Sequence, residues 1–173
     1  MEAGVFPREE RLELLAGELT RREPVSPRAA AATCLAYEAI ARLTGEGYEV
    51  RPQLPLALSD YDEPFPDLAV VSGSLRDYLS QHPTSALLVV EVSEASLKTD
   101  REVKGSLYAS AGIPEYWILN LRERVLEVYR EPAADTRAVY GAAYRWQQTL
   151  SASEQVSPLF APDARLAVQH LLP

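Results

Sequence analysis

The sequence predicts a mixed α/β (α+β) fold, a mixed β-sheet flanked by helices. Three observations carry this. Leu87-Leu88-Val89-Val90-Glu91-Val92 is a near-continuous apolar run, the pattern of a strand buried on both faces. A helical segment follows over 100–111 and is stopped by Gly112 and Pro114. Two strands come next, 115–119 and 124–130, spaced as a hairpin around Leu121-Arg122-Glu123.

The other elements follow in chain order. Leu12 and Leu14 alternate with polar residues, Ala16-Gly17 turns the chain, and Glu18-Leu19-Thr20 continues. This reads as a short hairpin, with a helix over 8–15 as the alternative. Pro27 can open a helix with Ser26 as its N-cap. That helix ends near Gly45 or Gly47, with Leu35, Ile40 and Leu43 on one side and Cys34 packed as a small hydrophobe. Residues 48–58 look extended, with Val50, Leu54, Leu56 and Leu58 sharing a parity. Asp67-Leu68-Ala69-Val70-Val71 is a short apolar strand opened by an acid. Residues 144–150 hold a strand, and 166–172 form a terminal segment.

The chain has 173 residues, which fits one domain over 1–173. No stretch approaches the length of a membrane span. Met1 to Glu10 lacks the apolar run of a signal peptide, so a cytoplasmic location is expected. The single cysteine excludes an internal disulfide and a cysteine-rich zinc site. A net charge of −8 argues against a general nucleic-acid coat protein. A metal site is compatible with it, because such a site needs clustered carboxylates.

Two acids sit in awkward places. Glu91 ends a run of aliphatic residues, where a carboxylate is costly unless paired or metal-bound. Asp67 opens the preceding strand. If those strands are neighbours their ends bring both carboxylates together, and a hard divalent cation relieves the repulsion. The plain alternative is that Asp67 caps a strand end while Glu91 pairs with an arginine. Asp100, Lys104 and Tyr108 are spaced by four and share a helix face. That face can lean over the strand ends, or Asp100 and Lys104 can form an ordinary surface pair. Lys98 and Lys104 are the only lysines among 17 basic residues. A lysine offers a compact ammonium whose pKa shifts readily on burial.

The segment from Asp60 through Pro66-Asp67 to Val71 resembles the central motif of the bacterial Uma-type family of putative restriction endonucleases, formerly a domain of unknown function. Leu87 to Ser93 is similar to its second motif. Asp100 to Lys104, Leu107-Tyr108-Ala109 and Ala111 to Trp117 are similar to its third. Gly17-Glu18-Leu19, Gln53 and Pro55 also fit, and the resemblance runs from about Arg11 to Leu172. It implies the PD-(D/E)XK nuclease fold with a restriction-endonuclease-like core and an N-terminal hairpin. It also implies hydrolysis of DNA phosphodiesters by an endonuclease using Mg²⁺ or Mn²⁺, leaving a 5′-phosphate. Asp67 and Glu91 would be the motif carboxylates and metal ligands, with the Val92 carbonyl as a further ligand. The usual lysine two residues after the glutamate is replaced by Ser93, and Lys104 matches the family's lysine on the next helix. Arg28-Ala29-Ala30 stands where many members carry a histidine.

Glu13, Gln53, Ser93 and Asp100 are supporting candidates, with Glu13 ranked above Glu18 and with Glu38 of the first helix as a rival. Arg21, Arg22 and Arg28 read either as a phosphate rim or as a solvated face. His82 and His170 read as structural or exposed, and Tyr116-Trp117 as core. A catalytically weak binding or regulatory module is the alternative function, as is a phosphodiesterase for RNA or small nucleotides. A nuclease cutting both strands would often be a homodimer.

Overall fold

The computed structural model describes residues 12–22 and 24–173. Strands β1 (Leu12–Leu15) and β2 (Glu18–Arg21) form an antiparallel hairpin. Ala16 and Gly17 both have positive φ, 52° and 78°. That is the turn whose twist matches a two-residue hairpin. The alternative helix over 8–15 is excluded for 12–15, and its first residues lie outside the described part.

Helix α1 (Pro27–Ala41) starts as expected, with Ser26 Oγ accepting the Ala29 N–H at 3.0 Å. Its buried stripe keeps the expected Ile40, with Leu43 packed against the core, and differs in the rest. Ala32, Thr33, Ala36, Ala39 and Ile40 face the sheet, while Leu35 and Cys34 are exposed. Small residues let the helix axis lie close to the sheet, so the larger Leu35 is turned outward.

The main sheet has six strands in sequence order: β3 (Tyr48–Pro52), β4 (Leu68–Ser72), β5 (Leu88–Ser93), β6 (Glu115–Asn120), β7 (Val125–Ala134) and β8 (Ala142–Ser151). Every neighbouring pair is antiparallel except β5 and β6. Parallel strands need a crossover, and the helical segment between β5 and β6 supplies it. The extended stretch expected over 48–58 stops at Pro52. Gln53 has φ 50°, and from there the chain leaves the sheet, burying Leu56 and exposing Leu54. Two short strands, β9 (Gln155–Val156) and β10 (Leu166–Ala167), pair beside the main sheet.

The sheet divides the core in two. One face carries Val50, Val70, Val90, Trp117 and Leu119 against α1 and the terminal Val168, Leu171 and Leu172. The other carries Ala69, Val89, Tyr116 and Ile118 against Leu107 and Tyr108 of the crossover. This accounts for the unbroken apolar run of β5, whose six residues are all buried.

The crossover is one helical stretch in three parts, α2 (Leu97–Thr99), a π-helical turn (Asp100–Lys104) and α3 (Gly105–Ser110). The wide turn is closed by the Gly105 N–H donating to the Asp100 carbonyl. That carbonyl also accepts from Tyr116 Oη at 3.0 Å. Such turns recur where a helix must re-aim side chains at a site. No described helix is long and apolar enough to cross a membrane.

Candidate active site

The β4–β5 ladder pairs Leu68 with Val90 and then ends. One further step of that register sets Asp67 opposite Glu91. Instead of continuing the ladder, Asp67 Oδ2 accepts the Val92 N–H at 2.8 Å. Successive peptide groups of a strand point to opposite edges. The Ser93 carbonyl accepts the Leu121 N–H on the β6 side. The Val92 peptide groups therefore face the other edge, where Asp67 is. Gln53 meets Asp67 through its backbone, its N–H donating to the Asp67 carbonyl at 3.0 Å. Gln53 is not among the residues lining the cleft described below.

Glu91 is 4% exposed. Its Oε1 accepts from Lys104 Nζ at 3.0 Å and from Tyr108 Oη at 2.7 Å. Glu13, on the hairpin, places Oε2 at 3.7 Å from the same ammonium. Asp100 is buried, and its Oδ2 accepts from Ser96 Oγ at 2.5 Å. Ser93 is buried below, its Oγ 3.5 Å from Ser96 Oγ. Lys104 and Asp100 are therefore no surface pair. The exposed i,i+4 pair on this helix is Lys98 with Glu102 at 3.9 Å.

The electrostatics follow from the crowding. Burial and the Glu91 charge push Asp67 up to about 6, against the Val92 N–H, Lys104 and Arg22. Burial and Glu91 likewise push Asp100 up to about 7, against Lys104 and the serine hydroxyls. Burial alone would lower Lys104, but Glu91, Glu13 and Asp100 hold it above the ordinary lysine range.

A pH dependence follows. Between about pH 4 and 7 the folded chain binds more protons at Asp67 and Asp100 than the unfolded chain does. Their contribution to stability is complete below the unfolded value near 3.8 and is lost as pH rises through 6 and 7. Each contributes up to about 1.4 kcal/mol per pH unit in that window. Chelator-treated protein should melt at lower temperature at pH 8 than at pH 5. An Asp67→Asn, Asp100→Asn double variant should flatten the difference, and an equal slope in that variant would refute the assignment.

These groups line a cleft of about 660 Å³ bounded by Glu13, Asp67, Glu91, Val92, Asp100 and Lys104, with Arg21, Arg22, Ser26, Glu94 and Ser96 at its sides. Arg22 lies over the Phe65 ring at 5.4 Å. Arg28 turns elsewhere, donating to the Leu121 carbonyl at 2.8 Å and standing 3.8 Å from Glu94. Glu38 pairs with Arg42 on the exposed side of α1 at 3.3 Å, and Glu18 is exposed on β2. His82 contacts Arg51, His170 is exposed, and Tyr116 and Trp117 are core.

Tyr108 was not among the expected site residues, although its spacing from Lys104 already placed it on the right face. Glu94 and Ser96 carried no signal, because a loop acid and a loop serine are common. Oxygen donors from two carboxylates and one outward carbonyl suit a hard cation such as Mg²⁺ or Mn²⁺. Asp67 is raised by burial first and by the Glu91 charge second, and a bound cation would offset both. Among the described residues no three His, Cys, Asp or Glu side chains form a complete metal cage. A cation here would therefore rely on the carbonyl and on water or substrate oxygens as well.

The model of a family described as Uma2, putative restriction endonuclease, matches residues 1–169. No curated protein matches the chain. Among solved structures, a putative nuclease belonging to DUF820 from Anabaena variabilis matches with a TM-score of 0.69 at 14% identity, over 94% of this chain and 90% of that one. At that identity the likeness shows a shared fold.

Proposed function

The chain belongs to the Uma2 family of putative restriction endonucleases, and from that membership we propose that it is a metal-dependent endonuclease hydrolysing phosphodiester bonds in DNA. The observation that carries the proposal is the meeting of Asp67 and Glu91 where the β4–β5 ladder opens, with Lys104 bound to Glu91.

Asp67, Glu91 and the Val92 carbonyl would hold Mg²⁺ or Mn²⁺. Such an ion supplies a polarised phosphodiester and a bound water of lowered pKa. The Val92 N–H fixes one Asp67 oxygen and leaves the other for ligation. Lys104 and Tyr108 both donate to Oε1 of Glu91, which fixes that carboxylate and leaves Oε2 as its ligand atom. Lys104 is held protonated, so it donates and does not act as a base. Its role is to offset charge growing on the scissile phosphate. Arg21 and Arg22 beside the cleft meet the nucleic-acid backbone. A local basic rim of this kind lets an acidic chain approach a polyanion.

Asp67→Asn is the test. Wild-type protein should nick plasmid or single-stranded DNA with Mg²⁺ or Mn²⁺, stop with EDTA, and lose at least about 10²-fold in rate in the variant. Failure of folded wild type to cut any DNA with either metal would turn attention to a binding module or another phosphodiester.

A further inference from the structure

A second pocket lies at the far end of the sheet. It encloses about 210 Å³ beside Ser72, Tyr78, His82, Thr84 and Ser85, and none of its lining residues carries a carboxylate. Ser72 ends β4, so this pocket stands one strand length, roughly 17 Å, from Asp67.

Behind its wall is Arg51 of β3, which is 4% exposed. The guanidinium lies over the Tyr78 ring at 5.2 Å, and Nη2 stands 3.4 Å from His82 Nδ1. Its Nε is buried without a hydrogen-bond partner. Among the described residues Arg51 forms no ion pair. The contrast with an arginine of the crossover helix and one of β7 is direct. Arg101 meets buried Glu127 at 2.6 Å, and Arg130 meets buried Glu115 at 2.6 Å.

A buried charge without a counter-charge is costly. A lysine can escape by losing its proton, but arginine cannot. The Tyr78 ring offsets only part of the charge. Because a guanidinium only donates, His82 Nδ1 is the acceptor of this contact. The imidazole proton then sits on Nε2, which is itself a donor. Positive charge behind a wall of N–H and hydroxyl donors suits a tetrahedral oxyanion.

We propose that this pocket binds a phosphate-class oxyanion, with Arg51 as its counter-charge and His82, Thr84 and Ser85 as donors to its oxygens. The proposal does not rest on the nuclease reading. Two sources present this chemistry, a free phosphate ester and a phosphate of a nucleic-acid backbone.

The experiment is thermal melting of the full chain in chelator, with sodium phosphate against sodium chloride at equal ionic strength. A second arm uses a short single-stranded oligonucleotide without terminal phosphates. Wild type should show a saturable rise in melting temperature with phosphate, with the oligonucleotide, or with both. Arg51→Met should weaken that response at least ten-fold while melting higher than wild type in chloride, since it removes an unpaired buried cation. His82→Gln, at an exposed position, should weaken it less, and it decides the matter if Arg51→Met does not fold. A response to phosphate alone assigns the free ester, and one to the oligonucleotide assigns the backbone. No response in wild type overturns the proposal. So does a response that both variants keep, which would place binding in the Lys104 cleft.

Discussion

Glu91→Gln should lose metal-dependent cleavage by roughly 10²–10³-fold or more while keeping the fold. The substitution keeps a carbonyl oxygen where Lys104 and Tyr108 now donate, so neither donor is stranded. It removes the charge that would bind a divalent cation. Calorimetric titration with Mn²⁺ should show the same loss, independently of turnover. Glu91→Ala differs in kind. It leaves Tyr108 Oη without its acceptor and Lys104 buried without its hydrogen-bonded counter-charge, with Glu13 at 3.7 Å as the remaining ion pair. Breaking a buried pair in this way costs about 3–5 kcal/mol. The two variants together separate chemistry from stability. Cleavage and Mn²⁺ affinity unchanged in folded Glu91→Gln would remove Glu91 from the site.

A loss of stability as large as that of Glu91→Ala is expected at a residue outside the cleft. Glu115 is fully buried at the start of β6. Its Oε1 accepts from Trp117 Nε1 at 3.0 Å and from Arg130 at 2.8 and 2.6 Å. Its Oε2 accepts the Leu159 N–H at 2.7 Å. Arg130 reaches on to the Ser157 carbonyl and lies over Trp146. This one carboxylate thus ties β6, β7, β8 and the chain after β9 together. Glu115→Ala strands an indole, a backbone N–H and part of a guanidinium. The expected loss is about 3–5 kcal/mol, on the order of 10 °C in melting temperature for a chain of this size. Glu115→Gln keeps an acceptor and should lose less. Denaturant unfolding that shows Glu115→Ala within about 1 kcal/mol of wild type would contradict this account.

Much of the fold was legible in local pattern. Alternation around Ala16-Gly17 marked the hairpin, Ser26-Pro27 the start of α1, and the run before Ser93 a strand covered on both faces. These are short-range properties, set by φ preferences, capping and period. The wrong expectations share a cause. Leu35 and Cys34 were placed inward by hydrophobicity, but how close a helix lies to its sheet depends on its alanines. The strand over 48–58 was over-extended because parity says nothing of where a ladder partner ends, and β4 leaves none beyond Pro52.

The candidate site divides in the same way. By itself the sequence determined residue types and spacing: an acid before one strand, an acid near the end of the next, and a lysine on the crossover helix. Only the tertiary structure decided which of these meet. The β4–β5 register sets Asp67 opposite Glu91, and the hairpin delivers Glu13 from 78 residues away in the chain. The π-helical turn carries Lys104 into the cleft, while Lys98, six residues earlier, stays in solvent. The physical reason is one of range. A helix or strand reports only its own period, whereas the pKa of Asp67 and the charge on Lys104 depend on groups that are neighbours in space alone.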